Sequence, residues 1–342
     1  MSDLGQQVGR VVPKNTILVT CIASIGKNTM LGNTGSFNQQ INGLTPNENK
    51  YDPYFLLTES ALWSAKMKGS AAAGTMQIVN RTEFSELKTW LPSLIEQQAI
   101  GAFFKQLDHL ITLHQRKYDK LVMSKKSMLE KMFPKNGQTK PEIRFSGFID
   151  DWEQRKLGEL GSLKNGMNFS KKAMGIGFPF VNLQNIFGNN VIDVSNLGKA
   201  MASDSQLKDY NLLNGDVLFV RSSVKLEGVG EAALVPQTLD NTTYSGFIIR
   251  FRDEYGLDNN FKRFVFGIES VRNQIMSQAT NSANKNISQS VLENLELAIP
   301  SKSEQQKIGA YFSNLDHLIT LHQRELEKLK KIKLSMLEKM FV

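Results

Sequence analysis

Four polar segments in the second half of the chain carry side chains that could recognise nucleic-acid bases. Arginine and lysine can donate hydrogen bonds to guanine, and asparagine and glutamine can form paired hydrogen bonds with adenine. Asparagine, serine and glycine also favour ordinary turns, so each residue taken alone is better explained by a solvated turn. The candidate base-reading residues are Lys164, Asn165, Asn168, Lys171, Lys172, Asn182, Gln184, Asn185, Arg221, Ser222, Ser223, Lys225, Asn281, Asn284, Lys285 and Asn286.

Catalytic motifs are incomplete in this sequence. Residues 25–28 resemble the end of a phosphate-binding loop, but Cys21 occupies the position of its first glycine and Asn28 that of its magnesium-binding serine or threonine. Residues 52–55 resemble the base-pocket motif of amino-methyltransferases, but no glycine-rich cofactor loop precedes them. The sequence therefore predicts no catalytic residue and no bound cofactor. The histidines form two pairs spaced five residues apart, which face different sides of a helix and predict no metal site: His109, His114, His317 and His322.

The chain contains two copies of one module. Residues 96–133 and 304–341 are identical at 27 of 38 positions, at a constant offset of 208. Each copy begins with Pro-Ser-x-x-Glu, which predicts a helix start with a capping box at Ser93 and Glu96 and at Ser301 and Glu304. The apolar spacing of three and four residues predicts a coiled-coil helix of about 57 Å in each copy, too long to be buried in one small domain. The predicted seam residues are Phe104, Leu107, Ile111, His114, Leu121, Phe312, Leu315, Ile319, His322 and Leu329.

Polar residues interrupt both seams at matching positions. These are His114 and His322, and Lys125 and Lys333. Their long stems could lie along the edge of an apolar seam with the polar groups in water. Alternatively, they could fix the register of the helices or select a partner, since polar seam positions cost stability and specify pairing.

Composition bounds the protein class. A length of 342 residues fits two domains, and one cysteine fits a reducing compartment. The sequence has neither the apolar core of a signal peptide nor a run of 18 apolar residues, so we expect a soluble, cytoplasmic protein without membrane contact. The net charge of +8 gives only mild support for nucleic-acid binding, because residues 150–300 hold 15 Lys and Arg against 17 Asp and Glu.

The pattern along the chain predicts an α/β fold class, with mixed α+β domains joined by two long coiled-coil helices. Strands are expected near 178–182, 216–221, 231–235, 243–251 and 294–299, and a helix near 259–278. Residues 14–20 match 214–220, whereas residues 152–210 have no counterpart in the first module. The expected segments are a partial domain at 1–91, a helix at 92–133, a linker at 134–149, a complete domain at 150–300 and a helix at 301–342.

Several stretches resemble the specificity (S) subunits of type I restriction–modification systems. They are EIRFSGFIDDWEQRKLGEL (142–160), GDVLFVRS (215–222), the segment from Ala283 to Ile319, and FNQQINGLTP (37–46). The Pro-x-x-x-Glu-Gln-Gln helix start occurs twice, each time after a mixed domain, which makes the signal specific. The resemblance extends over essentially the whole chain.

This resemblance implies that each module is a target-recognition domain that reads one half of a bipartite DNA sequence. It implies that the long helices are an antiparallel spacer and the platform for methyltransferase (M) subunits, which motor-nuclease (R) subunits join. S-adenosylmethionine and ATP are expected on those partner subunits and not on this chain, which is expected to be non-catalytic. Together with the family match, the four polar segments are then expected to form a double-stranded DNA-binding face.

The sequence departs from the family pattern in its first module. Family members begin that module with a segment like residues 144–160, which has no counterpart here, so we expect a partial first target-recognition domain. Self-association of two chains could then pair complete domains. The alternative function is an assembly scaffold, or an inactive recombined allele without full-site recognition. A stand-alone DNA enzyme is disfavoured because the catalytic motifs are incomplete. Counterparts of the second and third polar segments are expected at 20–27 and 74–80.

Overall fold

The computed structural model describes residues 11–22, 24–70, 78–135, 137–280 and 283–341. The strands in these ranges are β1 (Ile17–Thr20), β2 (Asn28–Met30), β3 (Ile41–Leu44), β4 (Glu153–Lys156), β5 (Gly161–Asn165), β6 (Met174–Val181), β7 (Gly198–Ala200), β8 (Val217–Val220), β9 (Ser222–Ser223), β10 (Ala232–Leu234), β11 (Thr243–Tyr244), β12 (Ile248–Asp253), β13 (Lys285–Asn286) and β14 (Glu296–Ile299). The α-helices are α1 (Pro53–Ser70), α2 (Arg81–Ser85), α3 (Leu94–Lys131), α4 (Leu157–Leu160), α5 (Asp204–Asp209), α6 (Asn259–Val265), α7 (Glu269–Gln278), α8 (Gln289–Glu293) and α9 (Lys302–Met340). None of these helices is both long and apolar enough to cross a membrane.

The chain divides into two compact units. Unit 1 consists of residues 1–119 and 321–342, and unit 2 consists of residues 120–320. Each unit has its own sheets and its own buried apolar core. Since α3 and α9 both contribute residues to each unit, the units differ from the linear segments expected from the sequence.

Unit 1 is built on a small antiparallel sheet with the strand order β2-β1-β3. Ile17 and Val19 of β1 point into a core that also contains Phe55 and Trp63 of α1 and Phe104 of α3. The end of α9 closes this core, because Met336 and Leu337 pack against it.

Unit 2 contains a larger set of strands. Its main sheet has the order β10-β8-β12-β5, and a second sheet has the order β11-β6-β7. Two further antiparallel pairs are formed by β4 with β14 and by β9 with β13. The expected mixed α/β fold class is therefore confirmed.

Strand β8 is a continuous run of apolar residues because both of its faces are buried. Val217 and Phe219 belong to one core of unit 2, and Leu218 and Val220 belong to another. Successive side chains of a strand point to opposite faces of the sheet. Because both faces of β8 are buried, apolar residues are required at every position and no polar alternation is visible.

The long helices run antiparallel in each unit, as predicted. In unit 1 the ring of Phe341, after the end of α9, lies 5.8 Å from Phe104 near the start of α3. In unit 2 the ring of Phe133, after the end of α3, lies 6.1 Å from Phe312 near the start of α9. Each unit thus brings together the start of one repeated helix and the end of the other. The predicted seam residues lie on buried or half-buried faces of these helices.

A glutamine explains the repeated helix-start signature. In α3, the Gln97 amide donates to the Pro92 carbonyl at 2.9 Å, and its oxygen accepts the Asp52 amide at 3.1 Å. In α9, Gln305 makes the same pair of hydrogen bonds with Pro300 and Asp258, both at 2.9 Å. The side chain therefore satisfies main-chain groups that would otherwise be buried without partners.

The predicted capping box at Ser301 and Glu304 is wrong. Both carboxylate oxygens of Glu304 accept hydrogen bonds from Arg144 at 2.7 Å, and the Ser301 hydroxyl lies 3.2 Å from that of Ser303. A bidentate guanidinium is a stronger partner for a carboxylate than a main-chain amide, so the linker arginine takes the place of the cap. At the first helix, the Ser93 hydroxyl accepts the Glu96 amide at 3.4 Å.

The seam lysines form equivalent ion pairs. Lys333 lies 2.5 Å from Asp108 in unit 1, and Lys125 lies 2.5 Å from Asp316 in unit 2. Both lysines occupy one repeat position and both aspartates occupy another, so the pairs meet only in this antiparallel register. This arrangement supports the interpretation that the polar seam positions fix register.

We expect a measurable coupling between Asp108 and Lys333. In a double-mutant cycle with Asp108→Asn and Lys333→Met, urea unfolding should give a coupling free energy of about 0.2–1 kcal/mol, the range for partly exposed ion pairs. The control cycle uses Asp119→Asn in place of Asp108→Asn, again with Lys333→Met. The Asp119 carboxylate accepts a hydrogen bond from the Gln115 side-chain amide instead. A coupling as large in the control as in the test cycle would contradict the register assignment.

The seam histidines predict a pH dependence of stability. The Nδ1 atoms of His114 and His322 lie 3.2 Å apart in unit 1. Burial lowers the pKa of His322, and the nearby His114 and Lys117 lower it further. As the pH falls, His322 therefore becomes protonated at a higher pH in the unfolded chain than in the folded chain. Stability should therefore fall as pH decreases through the ordinary histidine range near 6.5.

Thermal unfolding of wild type and His322→Gln between pH 7.5 and 5.5 checks this prediction. The variant should lose part of the acid-side decrease in Tm. The exposed His317→Gln variant should retain the wild-type decrease. Identical pH profiles for wild type and His322→Gln would show that this pair does not contribute.

Candidate nucleic-acid interface

A short ribbon joins two of the polar segments identified in the sequence. In the antiparallel pair of β9 and β13, Ser223 is opposite Lys285 and Ser222 is opposite Asn286. The Arg221 carbonyl accepts the Ile287 amide at 3.0 Å and extends this pairing. Segments more than 60 residues apart therefore meet at the end of the buried strand β8.

The turn between β11 and β12 brings the first polar segment to the same place. The Gly246 amide donates to the Met167 carbonyl at 2.8 Å, and the Arg221 amide donates to the Phe247 carbonyl at 2.8 Å. A Cβ atom at Gly246 would stand 2.1 Å from the side-chain oxygen of Asn168. A side chain at position 246 would therefore displace the Asn168 side chain from the turn.

A groove on unit 2 is bordered by three of the polar segments. The 183–187 segment, the loop after β9 and Asn284 all contribute to it, with Phe247 from the turn. Its lining residues are Leu183, Phe187, Ser222, Ser223, Val224, Lys225, Glu227, Gly228, Glu231, Phe247 and Asn284.

Three apolar side chains are exposed in this groove. Val224 is 77% exposed and Phe247 is 59% exposed, and Phe187 is also on the surface. Sequence patterns of polar base-reading residues do not identify these apolar side chains. For Phe247, the available signal was the preceding Ser245-Gly246 pair, which favours a turn at that point.

The charges around the groove are local and mixed. Lys225 is exposed beside it, and Arg221 and Lys285 flank the ribbon. Glu231 is held by the Gly188 amide at 2.9 Å, and Glu227 lies on the same side. A groove of this kind can bind bases through hydrogen bonds and apolar contacts, with a few cations for phosphates.

Other candidate residues lie away from the ribbon. Lys164 forms an ion pair with Asp209 at 2.7 Å, and its ammonium lies 4.8 Å from the centre of the Tyr210 ring. Asn165 is paired with Ile249 within the main sheet. Gln184 and Lys172 are exposed. Asn182 caps the turn that follows it, since its side chain accepts the Leu183 amide at 2.8 Å.

The assignment of Asn185 to the DNA face is wrong. Its side chain is 1% exposed and donates to the carbonyls of Asp193 and Asn196, both at 3.0 Å. Its oxygen accepts the Asn182 amide at 2.9 Å. All its hydrogen-bonding groups are therefore used inside the unit, where they fix the loop. Asn281 and the side chain of Lys171 lie outside the described residues.

Ion pairs with buried carboxylates hold the strands that support the ribbon. Arg252 of β12 donates to both oxygens of Asp216, at 2.9 and 2.7 Å, just before β8. Lys262 donates to the Gly215 carbonyl at 2.8 Å and lies 3.1 Å from Asp253. Burial lowers the pKa of Lys262. These contacts fix the main chain on which the exposed side chains stand.

Unit 1 repeats the ribbon's main-chain pattern with different side chains. The Cys21 carbonyl accepts the Val79 amide at 3.0 Å, and Ile22 is paired with Ile78. Cys21 takes the position that Arg221 has in unit 2 and is buried, and burial raises the pKa of its thiol. Of the expected counterpart segment 74–80, residues 74–77 lie outside the described ranges.

Comparisons with known proteins give a consistent assignment. The family model for the type I restriction modification DNA specificity domain matches residues 2–123 and 149–331. A putative type I restriction enzyme MjaX specificity subunit from Methanocaldococcus jannaschii is 25% identical over 308 residues, 85% of this chain and 67% of that protein. The EcoKI specificity subunit from Escherichia coli is 23% identical over 257 residues, 73% of this chain and 55% of that protein.

Solved structures show the same fold. The S subunit of a type I restriction–modification system from M. genitalium has a TM-score of 0.57 and 17% identity, covering 98% of this chain and 85% of that chain. A chain from a structure describing complex assembly of the type I system has a TM-score of 0.53 and 14% identity, covering 97% of this chain and 83% of that chain. With the family model matching most of the sequence, the chain belongs to the specificity subunits of type I restriction–modification systems.

Proposed function

We propose that unit 2 reads one half of a bipartite double-stranded DNA target through the groove beside the β9–β13 ribbon. One observation carries this proposal. Polar segments that are far apart in the sequence meet at the β9–β13 ribbon, next to exposed apolar side chains. Arg221, Lys225 and Lys285 would contact base edges or phosphates, and Ser222, Ser223 and Asn284 would contact base edges.

The charge distribution supports a role for partner subunits in DNA affinity. Residues 150–300 carry a net charge of −2, so this part of unit 2 lacks a general attraction for phosphates. We expect weak binding by this chain alone and stronger binding once methyltransferase subunits enclose the duplex. In a plot of the logarithm of the DNA-binding constant against the logarithm of the salt concentration, each additional phosphate contact should steepen the slope by about 0.9.

The long helices provide a repeated surface for these partners. The decapeptide LDHLITLHQR occurs in both, at 107–116 and 315–324. Leu110 and Leu113 are exposed in one copy, and Leu318 and Leu321 are exposed in the other. Two identical exposed surfaces suit two copies of one partner, and we assign them to the methyltransferase subunits. Motor-nuclease subunits would join that assembly in the cytoplasm, and catalysis, S-adenosylmethionine and ATP would belong to the partners.

Hydrogen exchange on the complex with methyltransferase subunits tests the DNA face. Addition of duplex carrying the methylated motif should slow exchange at 221–225, 245–247 and 283–286, while a scrambled duplex should have less effect. Protection of the complex by target DNA without protection at these three segments would refute the assigned face. A complex that assembles but gains no protection from any duplex would support the scaffold function instead.

Phe247 gives a prediction about base recognition. Because a thymine methyl is the apolar group that the major groove presents, Phe247→Ala should weaken target binding by about 1 kcal/mol through one thymine position. Replacing that thymine with uracil should weaken the wild-type complex equally and leave the variant unchanged. Fluorescence anisotropy measures both effects, with the exposed Ile149→Ala variant as a control. If replacing each thymine with uracil weakens binding equally in wild type and in Phe247→Ala, Phe247 does not contact a thymine methyl.

A further inference from the structure

Glu231 lies in a β-bulge just before β10, at the end of the main sheet of unit 2. The Val220 amide donates to the Glu231 carbonyl at 2.8 Å, and the Val220 carbonyl accepts the Gly230 amide at 2.7 Å. Two residues of one chain segment thus oppose one residue of the other, and Gly230 has a left-handed φ of 69°. A bulge of this kind redirects the side chain that follows the glycine. The Glu231 side chain accordingly lines the groove beside the β9–β13 ribbon.

The Glu231 carboxylate is fixed at one oxygen and open at the other. Its Oε2 atom accepts the Gly188 amide at 2.9 Å. Within the described ranges, Oε1 accepts no hydrogen bond from the protein, and it is not buried. Arg272 attracts the Glu231 charge, but its guanidinium donates to the Glu227 carbonyl at 2.7 Å instead. Glu231 therefore presents one oriented acceptor to a ligand in the groove.

An ionised carboxylate has few suitable partners on a DNA duplex. It accepts hydrogen bonds and donates none, and DNA phosphates repel it, so it cannot bind the sugar–phosphate backbone. In the major groove of DNA, the hydrogen-bond donors are the amino groups of cytosine and adenine. Adenine presents its N7 acceptor beside the amino group, and that acceptor repels a carboxylate, whereas cytosine presents the amino group alone. Cytosine is therefore the base that suits this acceptor best.

We propose that Glu231 reads one cytosine in the half-site recognised by unit 2, with Oε1 accepting a hydrogen bond from the N4 amino group. This inference rests on the proposed DNA-reading function of the groove and adds the identity of one base. It also accounts for a fixed negative charge on a surface that binds a polyanion. The other bases leave the carboxylate unpaired beside the phosphates, and this cost provides discrimination against them.

Glu231→Gln in the complex with methyltransferase subunits tests the contact. The glutamine oxygen can keep the hydrogen bond from Gly188, and its NH2 group, a donor, then faces the base. Wild type should prefer cytosine at one position by at least about fivefold over each other base, and the variant by less than about twofold. Competition binding with duplexes altered at single positions measures both preferences. Glu254→Gln makes the same change at an exposed residue outside the groove lining and should retain the wild-type preference.

A base analogue tests the contact without changing the protein. Pyrimidinone, a cytosine analogue without the N4 amino group, replaces one cytosine of the target at a time. At the contacted position it should weaken binding by wild type at least about fivefold, and binding by Glu231→Gln by less than about twofold. Equal weakening of wild type and variant at every cytosine would overturn the proposal. Loss of the cytosine preference in Glu227→Gln but not in Glu231→Gln would also overturn it.

Hydrogen exchange distinguishes failure of this inference from failure of the proposed function. If target DNA slows exchange at 221–225, 245–247 and 283–286 while Glu231→Gln keeps the full cytosine preference, the Glu231 contact is wrong and the DNA face stands. If target DNA protects the complex but none of these segments, the proposed function is refuted, and the Glu231 contact with it. Protection at these segments together with the loss of cytosine preference in Glu231→Gln is the result that we expect.

Discussion

Replacing Phe312 with alanine should destabilise unit 2 by about 3–5 kcal/mol, the usual cost of removing a fully buried phenylalanine. Its ring is fully buried and lies 5.3 Å from Phe264 and 6.1 Å from Phe133. The substitution would leave a cavity where the start of α9, the end of α3 and α6 meet. Urea unfolding, with hydrogen exchange at β8 and β12 to identify the affected unit, measures the effect.

Phe247→Ala is the matched control for this loss of stability. It removes the same side chain from the same unit, but Phe247 is exposed in the groove and should change stability by no more than about 0.5 kcal/mol. The two variants should therefore separate folding from recognition. Equal destabilisation by both would contradict the distinction drawn between the core and the groove.

Arg221→Ala should weaken discrimination at one base position by about 1–3 kcal/mol, or roughly 5- to 150-fold. The main chain of Arg221 is held on both sides, by the Phe247 carbonyl at 2.8 Å and by the Ile287 amide at 3.0 Å. Its guanidinium makes one long contact, 3.5 Å from the Gly246 carbonyl, which leaves donors for a base. Competition binding with duplexes altered at single positions measures the discrimination of the assembled complex.

Two comparisons distinguish base reading from phosphate binding at Arg221. Loss of a phosphate contact would weaken all duplexes alike and reduce the salt slope by about 0.9. Arg155→Ala removes an arginine from β4 of the same unit, where it binds Glu153, and should leave discrimination unchanged. Uniform weakening by Arg221→Ala would contradict base reading, and no weakening would remove Arg221 from the DNA face.

The repeat predicted the two long helices because periodic apolar residues form a stripe that is buried when the chain is helical. Their antiparallel orientation was implied by the family resemblance. The expected strand near 243–251 proved to be two strands, β11 and β12, with the Gly246 turn between them. The expected helix near 259–278 is divided into α6 and α7 around Gly267. The apolar content of each stretch predicted where the strands and helices lie. It did not predict where they are interrupted, because the interruptions are turns at Gly246 and Gly267.

Long-range partners account for what the sequence did not predict at the helix starts and at the site. Glu304 binds Arg144, 160 residues earlier in the chain, instead of capping its own helix. Asn185 looked like an exposed amide because asparagine is usually a surface residue, yet three main-chain groups of its loop hold it inside. Exposure of Phe247 likewise depends on the surrounding fold, since sequence alone favours burial of phenylalanine.

Methylation mapping tests the central claim most directly. The chain is expressed with its methyltransferase subunit in cells that lack other DNA methyltransferases, beside a variant with Arg221→Ala, Lys225→Ala and Phe247→Ala. Wild type should methylate a defined motif, and the variant should lose or relax base preference in one part of it while still assembling with the methyltransferase subunit. An identical motif at an identical level in the variant would contradict the assignment of this groove as the surface that reads DNA.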